Sequence, residues 1–223
     1  MKRLAKDVWH LDTIRIPNAV NAYLLGDVLI DAGGRRSAGM ILRQLDGHEV
    51  RAHALTHAHP DHQGSSAEIC TRLGVPYWVG ERDVDAAEDP NLIRGRQPDH
   101  PVANFYVRIF TGPGHKVDRA LREGDEVAGF RIIDAPGHSA GHVVFWREAD
   151  GVLVVGDVLN NMNIWTGIPG LHEPKPYLTP DPAANRRSAL KLRRLEPRLV
   201  LFGHGPPLRD PAKFVDFLDS LPR

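Results

Sequence analysis

Cysteine is almost missing. Cys70, in the helical stretch SSAEICTRLG, is the only one in 223 residues, so no intrachain disulfide framework holds this chain together. Its setting reads as a small core side chain rather than a metal ligand. Charge of a dominant sign is missing too: 28 Lys and Arg stand against 28 Asp and Glu. That balance gives the whole molecule no strong electrostatic bias toward nucleic acid or an anionic membrane, which weighs modestly against a nuclease. No run approaches the roughly 20 apolar residues of a membrane span. The basic start MKRLAKDVWHLDTI lacks the apolar stretch of a signal peptide. The expectation is a cytoplasmic protein with a small-molecule substrate, no nucleic-acid or membrane partner, and an oligomeric state the sequence leaves open. No repeat or low-complexity segment stands out. At 42% hydrophobic and 25% charged residues, the chain fits one domain over residues 1–223 with a continuous core.

Histidine, in contrast, is concentrated. The stretch His57-Ala58-His59-Pro60-Asp61-His62 places four nitrogen or oxygen donors within six residues. In an extended segment the side chains at i and i+2 point to the same side, so His57 and His59 can share one ion while Asp61 and His62 turn toward a second. Such donors suit zinc or another borderline divalent metal.

Along the chain, residues 8–16 and 22–31 read as strands, the second ending in Asp31 before Ala32-Gly33-Gly34. A carboxylate at that strand end can hold a ligand histidine by its other nitrogen. Residues 37–45 have helical spacing, and 52–56 form the strand that delivers the histidine motif. One helix is expected over 61–73, closed by Gly74, and a strand over 75–79. From 81 to 122 prolines interrupt the pattern, and this segment, with Phe105 and Tyr106, is the expected lid or substrate wall. It contains His115 in GPGH, which competes with His138 in APGH for the role of third ligand. The choice falls on His138, because the strand at 130–135 feeds directly into its turn and another follows at 143–146. His142 is expected as a buried supporting histidine. Residues 151–157 form a buried strand ending in Asp157, a carboxylate able to bridge two ions. Residues 160–180 are expected to be loop-like and to line the pocket through Asn161, Asn163, Trp165 and Tyr177. A helix over 183–195, a strand over 198–202 ending at Gly203-His204-Gly205, and a helix over 211–221 complete the reading.

The donor set is then His57, His59 and His138 for one ion and Asp61, His62 and His204 for the other, with Asp157 between them. This arrangement resembles the metallo-β-lactamase superfamily, whose ordered motifs appear here as Asp31, HAHPDH, APGHSAGH, VVGD and LFGHG, over about residues 20 to 205. The resemblance implies an α+β fold, a four-layer αββα sandwich with the site at one edge of its two sheets. Spacing alone does not establish that fold.

The chemistry of the donors points to two divalent ions, zinc by preference, with iron or manganese as alternatives. Such a pair lowers the pKa of water to about 7 and polarises a substrate oxygen. The expectation is a bridging hydroxide that attacks an ester, thioester or lactone carbonyl, with Asp61 orienting it or taking its proton. Within the superfamily, the aspartate at 157 separates this chain from true β-lactamases, and His59 separates it from flavodiiron proteins. The stretch after His204, GPPLRDPAKFVDFLDSLPR, holds little of the basic helical region with which hydroxyacylglutathione hydrolases bind glutathione. The resemblance, to those enzymes and to acyl-homoserine lactonases, therefore names a reaction rather than a substrate. Two alternatives use the same fold: a sulfur dioxygenase with one iron, and a phosphodiesterase or nuclease.

Overall fold

The computed structural model describes residues 1–222. Two sheets lie face to face. The first contains β1 (Lys2–Ala5), β2 (Val8–Asp12), β3 (Asn21–Leu25), β4 (Val28–Ile30), β5 (Ala52–Ala54), β6 (Tyr77–Gly80) and β7 (Arg119–Leu121), in that order. β1 to β4 are antiparallel neighbours, and β4 to β7 run parallel. The second contains β8 (Glu126–Val127), β9 (Phe130–Asp134), β10 (Val143–Arg147) and β11 (Val152–Gly156). A separate hairpin follows, β12 (Asn160–Met162) and β13 (Pro169–His172), and β14 (Leu199–Phe202) then joins the second sheet parallel to β11.

Alternation along the strands creates the layers. Tyr23 and Leu25, Phe145, Val152 and Val154, Leu199 and Leu201 point between the sheets into one shared core. Their strand neighbours point outward. Ala22, Leu24 and Leu29 meet α1 (Ala38–Gln44), while α2 (Pro60–Gln63) carries part of the histidine motif and α3 (Ser66–Leu73) adds Ile69 to the same outer layer. Three helices follow in the segment between β6 and β7: α4 (Val84–Glu88), α5 (Asn91–Arg96) and α6 (Pro101–Phe110). On the other side, Val144, Trp146, Leu153, Val155, Val200 and Phe202 are covered by α7 (Pro182–Leu192) and α8 (Pro211–Ser220). Helix, sheet, sheet, helix is the αββα order the resemblance implied. Among the described residues no helix is long and apolar enough to cross a membrane.

Several expected boundaries differ, each for a local reason. The strand expected over 22–31 is a hairpin, β3 and β4 joined by Gly26-Asp27, because Gly26 takes a left-handed φ of +58° and reverses the chain. The strand expected over 8–16 stops at Asp12. There Thr13 turns inward to donate its hydroxyl to the Val20 carbonyl. The helix expected over 61–73 is two, α2 and α3, since Ser65 spends its hydroxyl outside the helix. Its Oγ donates to Gly34 O and accepts from Ser37 and Ala38 N–H. Segment 81–122 is largely helical, and 160–180 contains the β12–β13 hairpin rather than loop alone. Cys70 is buried, and burial pushes its thiol up to about 12.

Candidate metal centre

The parallel strands and their neighbours end at one edge, and the polar side chains collect there. His57, His59 and His138 bring ligand atoms within 4.8 Å of one another, as do His57, His62 and Asp157, and again Asp61, His62 and His204. The three groups share members and form one buried cluster of seven residues. Asp157 lies at its middle. Its Oδ1 is 3.6 Å from His62 Nε2, and its Oδ2 is 3.5 Å from His138 Nε2 and 3.1 Å from His204 Nε2. Asp61 Oδ2 is 3.2 Å from His204 Nε2. Gly203 must lack a side chain for this to exist, because a Cβ there would stand 1.9 Å from Asp157 Oδ1.

Four of the five imidazoles are held through Nδ1. His57 Nδ1 faces Thr56 Oγ1 at 2.9 Å, His62 Nδ1 faces Asp31 Oδ2 at 2.9 Å, and His138 Nδ1 faces Thr179 Oγ1 at 3.1 Å. His204 Nδ1 faces the Ala19 carbonyl. A partner on one nitrogen fixes the tautomer and leaves the other nitrogen for a metal. Asp31 also accepts from Thr56 N and Thr56 Oγ1, both at 2.8 Å. Three such bonds hold it at a φ of +61°, a conformation costing about 1–3 kcal/mol for a residue with a side chain. His142 lies flat on His57, ring centres 4.7 Å apart, and its Nε2 accepts the Asp157 backbone N–H at 3.1 Å. The first sheet also grips the last loop: the Asn21 amide donates to Phe202 O and Gly205 O, and Tyr23 donates to Phe202 O.

The atoms left unsatisfied are those a metal ion would engage. His57 Nε2, His62 Nε2, both oxygens of Asp61 and Asp157 Oδ1 are buried without a hydrogen-bond partner, whereas buried polar atoms are normally paired. His53 shows the ordinary case: equally buried, it uses both nitrogens, on Leu29 O and Ser66 Oγ, and burial pushes it down to about 4. Asp31, Asp61 and Asp157 put three carboxylates in one buried place, and the ion pairs they make among the described residues are all with histidine. Burying an uncompensated charge costs several kcal/mol, so cations are needed. Burial holds His57 and His138 well below the ordinary range and His142 down to about 3, leaving neutral nitrogens. Burial also opposes charge on His62 and His204. There the neighbouring carboxylates outweigh it, pushing His62 up to about 9 and His204 well up. Asp61 and Asp157 are held below the usual carboxylate range by those same histidines against the effect of burial. A divalent ion at those nitrogens would supply the positive charge that the carboxylates otherwise draw from protonated histidine. The residues fit a binuclear metal centre.

The sequence reading missed Thr56, Thr179 and Asp83. Asp83 is buried and accepts from Ala58 N at 3.0 Å, Ser139 Oγ at 2.5 Å and Gly141 N at 2.8 Å. It ties the loop of His57 and His59 to the turn of His138. Nothing in ERDVD distinguishes it from a surface helix start. Replacing Asp83 with Ala strands buried donors. The expected result is a lower Tm and about 10–100-fold weaker metal binding, measured by thermal unfolding and chelator competition.

Five members of the cluster, His59, Asp61, His138, Asp157 and His204, line a cavity of about 310 Å³. Phe105, Tyr106, Asn163 and Trp165 line it, together with Ile16, Phe110, Met162 and Lys175. Asn161 and Tyr177 do not. On β12 alternate residues face opposite ways, so Asn160 and Met162 line the cavity, while Asn161 turns to donate to Pro206 O. Tyr177 stands behind the wall, stacked on His100 and accepting from Trp165 Nε1 at 2.7 Å. His115 lies apart from the cluster, with its ring against Tyr77.

A family profile described as the metallo-beta-lactamase superfamily matches residues 15–204. The chain belongs to this superfamily. Among its relatives is the probable metallo-hydrolase YflN of Bacillus subtilis (strain 168), 31% identical over 87% of this chain and 80% of that protein. A hydroxyacylglutathione hydrolase of Methylococcus capsulatus is 34% identical over 55% of this chain but only 40% of its own length. A solved protein, TTHA1623 in a di-iron-bound form, superposes with a TM-score of 0.68 at 29% identity, covering 93% of this chain and 96% of that one. The clustered histidines and aspartates and this membership together support a metal-dependent hydrolase.

Proposed function

We propose that the chain hydrolyses an ester, thioester or lactone at a binuclear centre, with His57, His59 and His138 holding one ion, Asp61, His62 and His204 the other, and Asp157 reaching both. The observation that carries this reading is the set of buried, unpartnered ligand atoms in a cluster that borders an apolar cavity through Asp61 and Asp157. Two divalent ions there would supply a water that ionises near neutral pH and positive charge against the substrate's carbonyl oxygen. The protein's own groups do the rest. Asp61 stays ionised, and with its Oδ2 facing His204 Nε2 at 3.2 Å its Oδ1 is left to accept a hydrogen bond, which suits it to orient the attacking water. Burial and the nearby Asp61 carboxylate push the Tyr106 phenol well up, so Tyr106 keeps its proton and offers a donor at the cavity wall. The surrounding Ile16, Phe105, Phe110, Met162 and Trp165 exclude water and accommodate an acyl group.

The donors favour zinc, and the di-iron form of a relative makes iron the second candidate. The test is metal analysis of protein purified without added metal, followed by assays on thioesters, lactones and phosphodiesters. Two ions per chain and turnover of the acyl substrates support the proposal. A single iron with oxygen consumption on a persulfide, or turnover of phosphodiesters alone, overturns it.

Substrate preference is expected to reside in the wall rather than in the metal ligands. Trp165 lines the cavity yet is 61% exposed, anchored through its indole N–H to Tyr177. Replacing Trp165 with Ala is expected to raise KM several-fold or shift acyl-length preference while metal content stays at the wild-type value. Unchanged kinetics across the panel would place the pocket elsewhere.

A further inference from the structure

His59 is held differently from the other histidines of the cluster. His57, His62, His138 and His204 engage their Nδ1 atoms, whereas His59 engages Nε2, which lies 2.6 Å from the side-chain nitrogen of Gln97. Nδ1 is therefore the His59 nitrogen left for a metal. Two nitrogens cannot both donate across that contact. If the Gln97 amide N–H donates, His59 Nε2 is the unprotonated nitrogen, and a neutral ring then carries its proton on Nδ1, where a metal must bind. A half turn of the amide exchanges its oxygen and nitrogen. His59 Nε2–H then donates to Gln97 Oε1, which otherwise is buried with no partner, and Nδ1 becomes an unprotonated ligand. One rotation pairs His59 Nε2 with Gln97 Oε1.

We propose that Gln97 is a positioning residue for the first ion, presenting Oε1 to the His59 Nε2–H and so fixing the ligating tautomer. This rests on the binuclear reading of the metal centre. Gln97 directly succeeds α5, in the segment whose next helix, α6, carries the wall residues Phe105 and Tyr106. The hold on the first ion is thereby linked to the segment that walls the substrate cavity. This glutamine lies outside HAHPDH, APGHSAGH, VVGD and LFGHG.

The experiment uses zinc-loaded protein and reads zinc stoichiometry, affinity by chelator competition, and the imidazole N–H signals by nitrogen-15 NMR. Gln97→Leu removes the acceptor. One of the two ions is expected to bind about 10–100-fold more weakly, the other as in the wild type, and the His59 Nε2–H signal should be lost to exchange. Gln97→Glu keeps an acceptor oxygen and should retain wild-type affinity and the signal. Undiminished affinity and an intact signal in Gln97→Leu would overturn the role, as would equal losses in both variants. Wild-type protein that binds fewer than two ions would instead overturn the metal centre itself, and this role with it.

Discussion

Replacing Asp157 with Asn is expected to empty both metal sites and to lower turnover by more than the roughly 10–100-fold typical of losing a supporting residue. The carboxylate faces three histidines, His62 from one oxygen and His138 and His204 from the other, so no other side chain is as central. Asparagine has the same shape and fits the space beside Gly203. It lacks the negative charge, however, and turns an N–H pair toward nitrogens that must remain free for metal. Metal analysis and steady-state kinetics of the folded variant check this. Two retained ions and full activity would remove Asp157 from the bridging position.

The second large effect separates two similar sequences. His138→Ala should release one ion and cost about 100-fold or more in turnover, again above the range for supporting residues. His115→Ala should leave metal content and kinetics at wild-type values. The difference arises from what precedes each Pro-Gly-His. APGH leaves the end of β9, and its turn is pinned by Asp181 N–H on Gly137 O and by Asp83 on Ser139 and Gly141. GPGH leaves the end of α6 and precedes a strand rather than succeeding one, and His115 N–H bonds to Ala87 O of α4. Reversed outcomes would show that the third motif belongs to the other turn.

Local chemistry makes the candidate metal donors legible. Two histidines one residue apart at a strand end, or an aspartate closing a buried strand, are signals contained within a few residues. The structure brings those seven side chains together. The strand alternation behind the two-sheet core can likewise be read directly, although the stacking of the layers comes only with the family resemblance. The parts that escape depend on contacts across the chain. Asp83 and Gln97 reach the centre from the proline-interrupted segment between β6 and β7, where charge and helix breakers look like any surface. Thr179 reaches His138 across 41 positions. Asn161 and Tyr177 are reasonable pocket candidates by position, but strand parity and a Trp165 hydrogen bond turn them behind the wall. The split of the hairpin at Gly26 is visible as a Gly-Asp pair, yet the apolar run on either side conceals it.

The central claim is that one buried cluster holds two metal ions on either side of Asp157. Anomalous diffraction from zinc-loaded crystals at the zinc edge tests it most directly. The account predicts two peaks per chain, one among His57, His59 and His138 and one among Asp61, His62 and His204, with Asp157 touching both. A single peak at full zinc loading, or peaks away from these seven residues, would contradict it.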